Sequence, residues 1–295
     1  DYWKPSLAIF IDSEIWPNML INIKKKSIPV ILLNARITYK SFKRWKMFGN
    51  FSKEIFQCFN KALSSNKETV QYLKYFKLKN IKFIGNLKFS EKKKEKITIP
   101  KKIKNFFSKK VYWCAGSTHR GEEMYCIKAH KELKKKYENL VSIIIPRHIN
   151  RKSEIISLLK DNNLNFHCHS WKKNILKSTE IYLVDTYGET SLFYKLSKII
   201  FMGGSLVNHG GQNPLEASRL GCKIIHGPNI NNFRDIYKLL QKLNISKKVN
   251  TNKNLTNNIR KNIQAKLSSD SIIKKIELMG IKIKELTLKE LNQTF

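Results

Sequence analysis

The amino-acid sequence predicts an α/β fold in two domains, and three observations carry that expectation. Short apolar runs alternate with helix-length amphipathic segments through most of the 295 residues. Several of those runs end in loops rich in Gly, Asn, Asp or Pro before the next helical pattern opens. The chain, 41% hydrophobic, is longer than one average domain and can bury a sizeable core in each of two.

Taken in order, Leu7 to Ile11 and Val30 to Leu33 read as buried strands, being short, apolar and bounded by polar residues. A helical region is predicted from about Tyr39 to Leu63, then a short strand at Lys82 to Ile84. The stretch from Ser90 to Lys110 is lysine-rich and carries Pro100, the composition of a connector. The first domain is therefore expected over residues 1–90, a linker over 91–110 and a second domain over 111–295. In that second domain the alternation restarts, with strands at Val111 to Ala115, Val141 to Ile145, Ile181 to Val184, Ile199 to Met202 and Cys222 to His226. Helices are expected at Glu122 to Tyr137, Lys152 to Asp161, up to Ser197 and from Pro214. This is the pattern of a nearly complete Rossmann-like domain. The Asn- and Lys-rich tail has helical spacing at Ile272, Ile276 and Met279, and no internal repeat is present.

The formal charge is +35. Such a field would draw nucleic acid or an anionic membrane surface; Lys greatly outnumbers Arg and accompanies much Ile and Asn, as codon bias would also produce, so codon bias and a functional basic surface are both open and can coexist. The lysine runs at 24–26, 92–96 and 134–136 read as solvated faces. Nucleic-acid binding would call for clustered Arg and stacking aromatics, whereas the 16 Phe, 11 Tyr and 5 Trp fall mostly in core patterns, so no nucleic-acid partner is expected. The five cysteines are scattered and odd in number, which argues against a disulfide framework or a zinc site. No stretch has the apolar length of a membrane span, and no signal peptide is visible.

The strongest chemical signal is the loop Gly203 to Glu216, GGSLVNHGGQNPLE, between a strand and a helix start. Its glycines, with Gly204, Gly210 and Gly211 beside Ser205, would let backbone approach a phosphate, and a helix N-terminus offers amides and positive dipole. Asn213 is placed as an N-cap, Pro214 and Leu215 open the helix, and Glu216 could accept from ribose hydroxyls; alternatively these residues only cap a helix. The loop Asp185 to Glu189 also follows a strand, with Tyr187, Gly188 and Glu189 facing the same crevice, or with Asp185 a turn former and Glu189 a first-turn acid. Pro146, Arg147 and His148 follow another strand, where Arg can grip a phosphate bidentately. In AGSTHRGEE, Ser117 or Thr118 could cap the next helix and His119 could touch a ligand or be structural. His167 and His169 flank Cys168 without a completing ligand and read as loop residues, so no metal is expected. In the first domain, Glu14 ends the first strand as a charge stabiliser or a first-turn acid. Arg36 ends the next, and Lys88 stands before the linker.

Taken in order, SEIWPN, NARIT, GNLKF, STHRGEE, PRH, DTYGE and GGSLVNHGGQNPLE resemble the motif series of the 3-deoxy-D-manno-octulosonic acid (Kdo) transferases of lipopolysaccharide core synthesis. The resemblance covers Leu7 to about Tyr237. It implies a GT-B fold, two Rossmann-like domains facing a cleft, with CMP-Kdo on the C-terminal one and a lipid A precursor on the other. It also implies inverting transfer without metal or other cofactor at the cytoplasmic face of the bacterial inner membrane. By motif, Pro146, Arg147, Tyr187 to Glu189 and Asn213 to Glu216 would hold the CMP moiety, with Glu14 and Lys88 near the reacting sugar. Two positions depart from the family pattern: Thr190 stands for a hydrophobic residue and Gln212 for His. The family's catalytic Glu belongs to a segment before Asp1. The N-terminal domain is therefore expected to be incomplete, and a separately encoded N-terminal segment could supply that base and an anchor. The rival expectations are an inactive or complementing fragment that binds only a CMP-sugar, and a GT-B enzyme using a UDP-sugar.

Overall fold

The computed structural model describes residues 5–91, 97–265 and 269–293, which leaves the lysine run at 92–96 outside the described residues. The chain divides into two compact units. Unit 1 comprises the residues up to Glu91 and those from Glu277 onward; unit 2 runs from Lys92 to Ile276.

Unit 1 begins with β1 (Ala8–Ile11), α1 (Pro17–Lys25), β2 (Val30–Ala35), α2 (Tyr39–Met47), α3 (Gly49–Phe56), β3 (Lys61–Ser64), α4 (Lys67–Tyr75) and β4 (Ile81–Phe83). The strands form one parallel sheet in sequence order. Pro17 opens α1, as its fixed φ favours. The Thr38 hydroxyl caps α2 and the Asn66 side chain caps α4. Leu20, Val30, Leu32, Phe56, Leu73 and Phe76 bury the helices on the sheet, and the rings of Phe56 and Phe76 stack at 4.3 Å.

The helical region expected from about Tyr39 to Leu63 divides into two helices and a strand. Gly49 takes φ +55°, which breaks the helical ladder. β3 is a buried strand although it opens with a lysine, Lys61. Its ammonium is satisfied by the Glu290 carbonyl at 2.6 Å and carboxylate at 2.8 Å.

Unit 2 contains α5 (Lys101–Phe107), β5 (Val111–Thr118), α6 (Glu122–Lys134), β6 (Leu140–Pro146), α7 (Lys152–Asp161), β7 (Phe166–Cys168), β8 (Ile181–Leu183), α8 (Thr190–Ser197), β9 (Ile199–Met202), α9 (Leu215–Arg219), β10 (Lys223–His226), α10 (Arg234–Lys242), β11 (Ser246–Lys248), α11 (Asn252–Gln264) and the start of α12 (Ser269–Asn292). Its seven strands are parallel in the order β11-β10-β9-β5-β6-β8-β7. The chain builds outward on one side of β5, then returns to its other side. The strand order therefore reverses between β5 and β9, the place where doubly wound sheets bind ligands. Trp113, Ile127, Leu133, Ile144, Leu183 and Phe201 lie in its core, with Leu255 and Ile259 of α11.

The expected boundaries shift in two places. Residues 91–110 are not all connector, since α5 buries Ile103 and Phe107, and the Phe107 ring meets Tyr112 and Tyr182 at 5.0 and 5.5 Å. Two apolar residues one turn apart suffice to dock a helix, and the surrounding lysines hid them. The second domain does not extend to the C-terminus, because from Glu277 onward α12 groups with unit 1. There Gly280 lets backbone approach closely: a Cβ would sit 2.4 Å from the Phe89 carbonyl oxygen. All five cysteines are free and buried, and no described helix is long and apolar enough to cross a membrane.

Candidate functional site

In unit 1, Glu14 is exposed just beyond β1 and its carboxylate accepts the Trp16 indole N–H at 3.0 Å. Lys88 lies in a 3-10 turn, Leu87–Ser90. Its ammonium is 3.3 Å from the Asp12 carboxylate. Asp12 also receives the Asn34 amide, and the Asn34 carbonyl oxygen accepts the Leu87 N–H at 3.0 Å. Asp12 and Asn34 both adopt positive φ, +59° and +53°, so short polar residues tie the ends of β1 and β2 to the lysine turn. Asp12 was missing from the sequence expectations; the available signal was a carboxylate placed directly after an apolar strand.

In unit 2 the loops after β5, β6, β8 and β9 carry nearly all the remaining candidates, but they use them differently than expected. The Glu122 carboxylate is fully buried and receives four backbone amides, from His119 at 3.0 Å, Gly204 at 2.6 Å, Ser205 at 3.0 Å and Leu206 at 2.9 Å. The amides expected to hold a phosphate at Gly204 and Ser205 are thus filled from inside the protein. The Ser205 hydroxyl is spent too, donating to the Met202 carbonyl at 2.5 Å and accepting the Gly227 N–H at 2.8 Å. Ser117 takes φ +55°. Its carbonyl oxygen lies where a Cβ on Gly203 would be 2.2 Å away. Neither Ser117 nor Thr118 caps α6; Gly121 does, at φ +92°, while the Thr118 hydroxyl donates to Glu123 at 2.8 Å. Glu123 is also clamped by both guanidinium nitrogens of Arg151, at 2.9 and 3.1 Å. Glu122, Glu123 and Arg151 were all missed as site-building residues, since two acids at a helix start read as dipole partners.

His119, itself 7% exposed, packs over this floor. Its Nε2 accepts the Gln212 amide at 3.0 Å, which leaves Nδ1 carrying the proton. Its ring stacks on His209 at 4.1 Å and meets His148 edge-on at 5.8 Å. Burial, then His209, His148, Arg147 and Arg151, push its pKa down to about 4, so it is a neutral N–H donor at neutral pH. Arg147 is exposed, and its backbone N–H is fixed by the Thr118 carbonyl at 2.9 Å. Among the described residues its guanidinium has no carboxylate partner. Gly210 and Gly211, at φ +83° and +76°, shape the turn that brings Gln212 to His119, and the Gln212 carbonyl accepts the Tyr237 hydroxyl at 2.8 Å.

The loop after β8 divides its work. Asp185 is a brace, buried against Lys152 and the Ser170 N–H at 2.8 Å; these partners outweigh the burial that would raise its pKa and hold it below the usual carboxylate range. Tyr187 is 74% exposed and Gly188 has open space at φ +83°. Glu189 is not free: it accepts the Thr186 hydroxyl and pairs with His169 Nε2 at 2.9 Å, while His169 Nδ1 meets the Tyr182 hydroxyl at 2.7 Å. His167 is accordingly not a loop residue but part of β7, and His169 follows it directly. Asn213 accepts the Leu215 N–H at 3.1 Å, with Pro214 as N-cap, one residue later than expected. Glu216 receives the Ser191 hydroxyl, which joins α9 to α8. No group of His, Cys, Asp and Glu suited to a metal occurs among the described residues.

A doubly wound parallel sheet with polar loops gathered at its strand-order reversal, in a chain that also holds a second parallel α/β unit, defines the GT-B class of glycosyltransferase folds. Trehalose-6-phosphate synthase OtsA matches 97% of this chain and 72% of its own at a TM-score of 0.57 and 9% identity, which speaks for the fold alone. A UDP-N-acetylglucosamine 2-epimerase does so at 0.56 and 10%, over 98% and 73%. The family model for 3-deoxy-D-manno-octulosonic-acid transferase (kdotransferase) matches residues 1–91. Two proteins named 3-deoxy-D-manno-octulosonic acid transferase are similar over most of this chain. The one from Haemophilus influenzae is 30% identical over 81% of the chain and 57% of its own length. The one from Rickettsia typhi is 32% identical over 89% and 57%. The C-terminal CMP-Kdo-binding domain of WaaA from Acinetobacter baumannii is 26% identical, with a TM-score of 0.51 over 62% of this chain and 91% of that domain. The chain belongs to the Kdo transferase family. It spans little more than half the length of the curated relatives it matches.

Proposed function

We propose that the chain serves Kdo transfer from CMP-Kdo to a lipid A precursor, with unit 2 as the donor-binding part. The observation that carries this reading is the resemblance of 62% of the chain to a C-terminal domain named for CMP-Kdo binding, joined to the family match over residues 1–91. In unit 2, the Arg147 guanidinium and the His119 Nδ1–H are the donors left open toward an anion, and they would oppose the charge that grows on the phosphate as CMP departs. Tyr187 and Gly188 offer an open edge for the base, and Asn213 and Glu216, held by Pro214 and Leu215, polar groups for the ribose. In unit 1, Glu14 would face the positive charge developing on the sugar, and Lys88 a substrate carboxylate or phosphate. Lys88 would have to leave Asp12, an exposed pair that costs little to break.

The transfer needs no metal on this reading. The acceptor is met at the cytoplasmic face of the bacterial inner membrane, where the +35 charge attracts anionic lipid. The test is a transfer assay from CMP-Kdo to a lipid A precursor with the protein containing this chain. Product that forms equally well in a chelator, and falls on Arg147→Ala, supports the reading. A requirement for a divalent ion, or transfer from a UDP-sugar instead, overturns it.

A further inference from the structure

Glu122 is a buried carboxylate that the proposed chemistry leaves unused. We propose that it is a positioning residue: its carboxylate fills the amide nest of the loop after β9 and so confines a nucleotide phosphate to the outer layer, at His119 and Arg147. This inference rests on the nucleotide reading of unit 2.

Three features carry it. First, amides converging at a strand-to-helix loop form the kind of concavity in which proteins hold phosphate. Here those of Gly204, Ser205 and Leu206 are all within 3.0 Å of Glu122 oxygens. Secondly, Glu122 is wholly buried with no cation among its described partners, whereas its neighbour Glu123 takes Arg151. A buried carboxylate stands without a cation only where such dipoles replace its water. Thirdly, one oxygen, Oε2, receives both His119 N–H and Gly204 N–H, so the same atom sets the two sides of the strand-order reversal. The His119 ring lies on Gly204 so closely that a Cβ there would be 3.1 Å from Cδ2. The carboxylate thus places the ring whose Nδ1–H meets the ligand and denies the inner amides to it.

The amide spectrum of labelled protein, titrated with CMP and separately with cytidine, tests this. In the wild type, CMP should move His119 and Arg147 and leave Gly204, Ser205 and Leu206 in place. Glu122→Gln, which turns an NH2 toward amide donors, should weaken CMP by about 10- to 100-fold, the scale of lost hydrogen bonds to a charged group. It should weaken cytidine much less, and Glu122→Asp should recover much of the loss. Displacement of the 204–206 amides by CMP in the wild type overturns the inference, and so does an equal loss of CMP and cytidine, which a purely structural role would give. If the glutamine variant fails to fold, the wild-type shifts and Glu122→Asp still decide. A wild type that binds no CMP overturns the nucleotide reading itself, and this inference falls with it.

Discussion

Arg147 and Arg151 lie four residues apart after β6 and do opposite work. Arg151 is 15% exposed and grips Glu123, which is 1% exposed. Arg151→Ala leaves that carboxylate buried and unpaired, and should lower stability by about 3 kcal/mol in a denaturant titration. Among the described residues the Arg147 guanidinium has no carboxylate partner, so Arg147→Ala should leave the unfolding midpoint unchanged while weakening CMP by at least about tenfold, as loss of a charge-assisted pair does. The position of Arg147 and His119 was legible because each follows a strand end in a loop with turn residues, and Glu216 because Asn213 and Pro214 mark a helix start. Glu122 was not, since its partners Gly204, Ser205 and Leu206 lie 82 to 84 residues further along the chain. A motif shows which residues sit near a strand end, but not whether a distant loop has already claimed them.

At the scale of elements, the ends of β5 and β9 pack backbone against backbone. Gly203 has no room for a side chain, because a Cβ would be 2.2 Å from the Ser117 carbonyl oxygen and 2.7 Å from the Thr118 Cα. Neither backbone atom can yield cheaply. Gly203→Ala should therefore destabilise unit 2 by about 3 kcal/mol, seen as a lowered unfolding midpoint, and should weaken CMP as well by prising His119 away from the loop. The strands on either side were readable as short apolar runs with sharp ends. β3 and α5 were not, because a lysine with a distant carboxylate partner, or two buried residues among many lysines, does not break a polar pattern.

Across the whole molecule, burial pushes the imidazoles of His130 and His226 down to about 4 from 6.5. His226 is neutral by construction, Nδ1 donating to the Gly227 carbonyl at 2.7 Å and Nε2 accepting from Gln241 at 3.0 Å. The unfolded chain takes up these protons first, so the stabilisation is complete above pH 6.5 and is lost as pH falls toward 4. Each group is worth up to about 3 kcal/mol. The urea midpoint should therefore drop across that window, and less so in His226→Gln, whose amide can still donate to Gly227. The most direct test of the central claim, that unit 2 is a cytidine-nucleotide site centred on His119 and Arg147, is a calorimetric comparison of CMP and UDP. The account predicts that CMP binds more tightly than UDP and that Arg147→Ala abolishes most of that affinity. Equal or tighter binding of UDP, or CMP binding indifferent to Arg147, would contradict it.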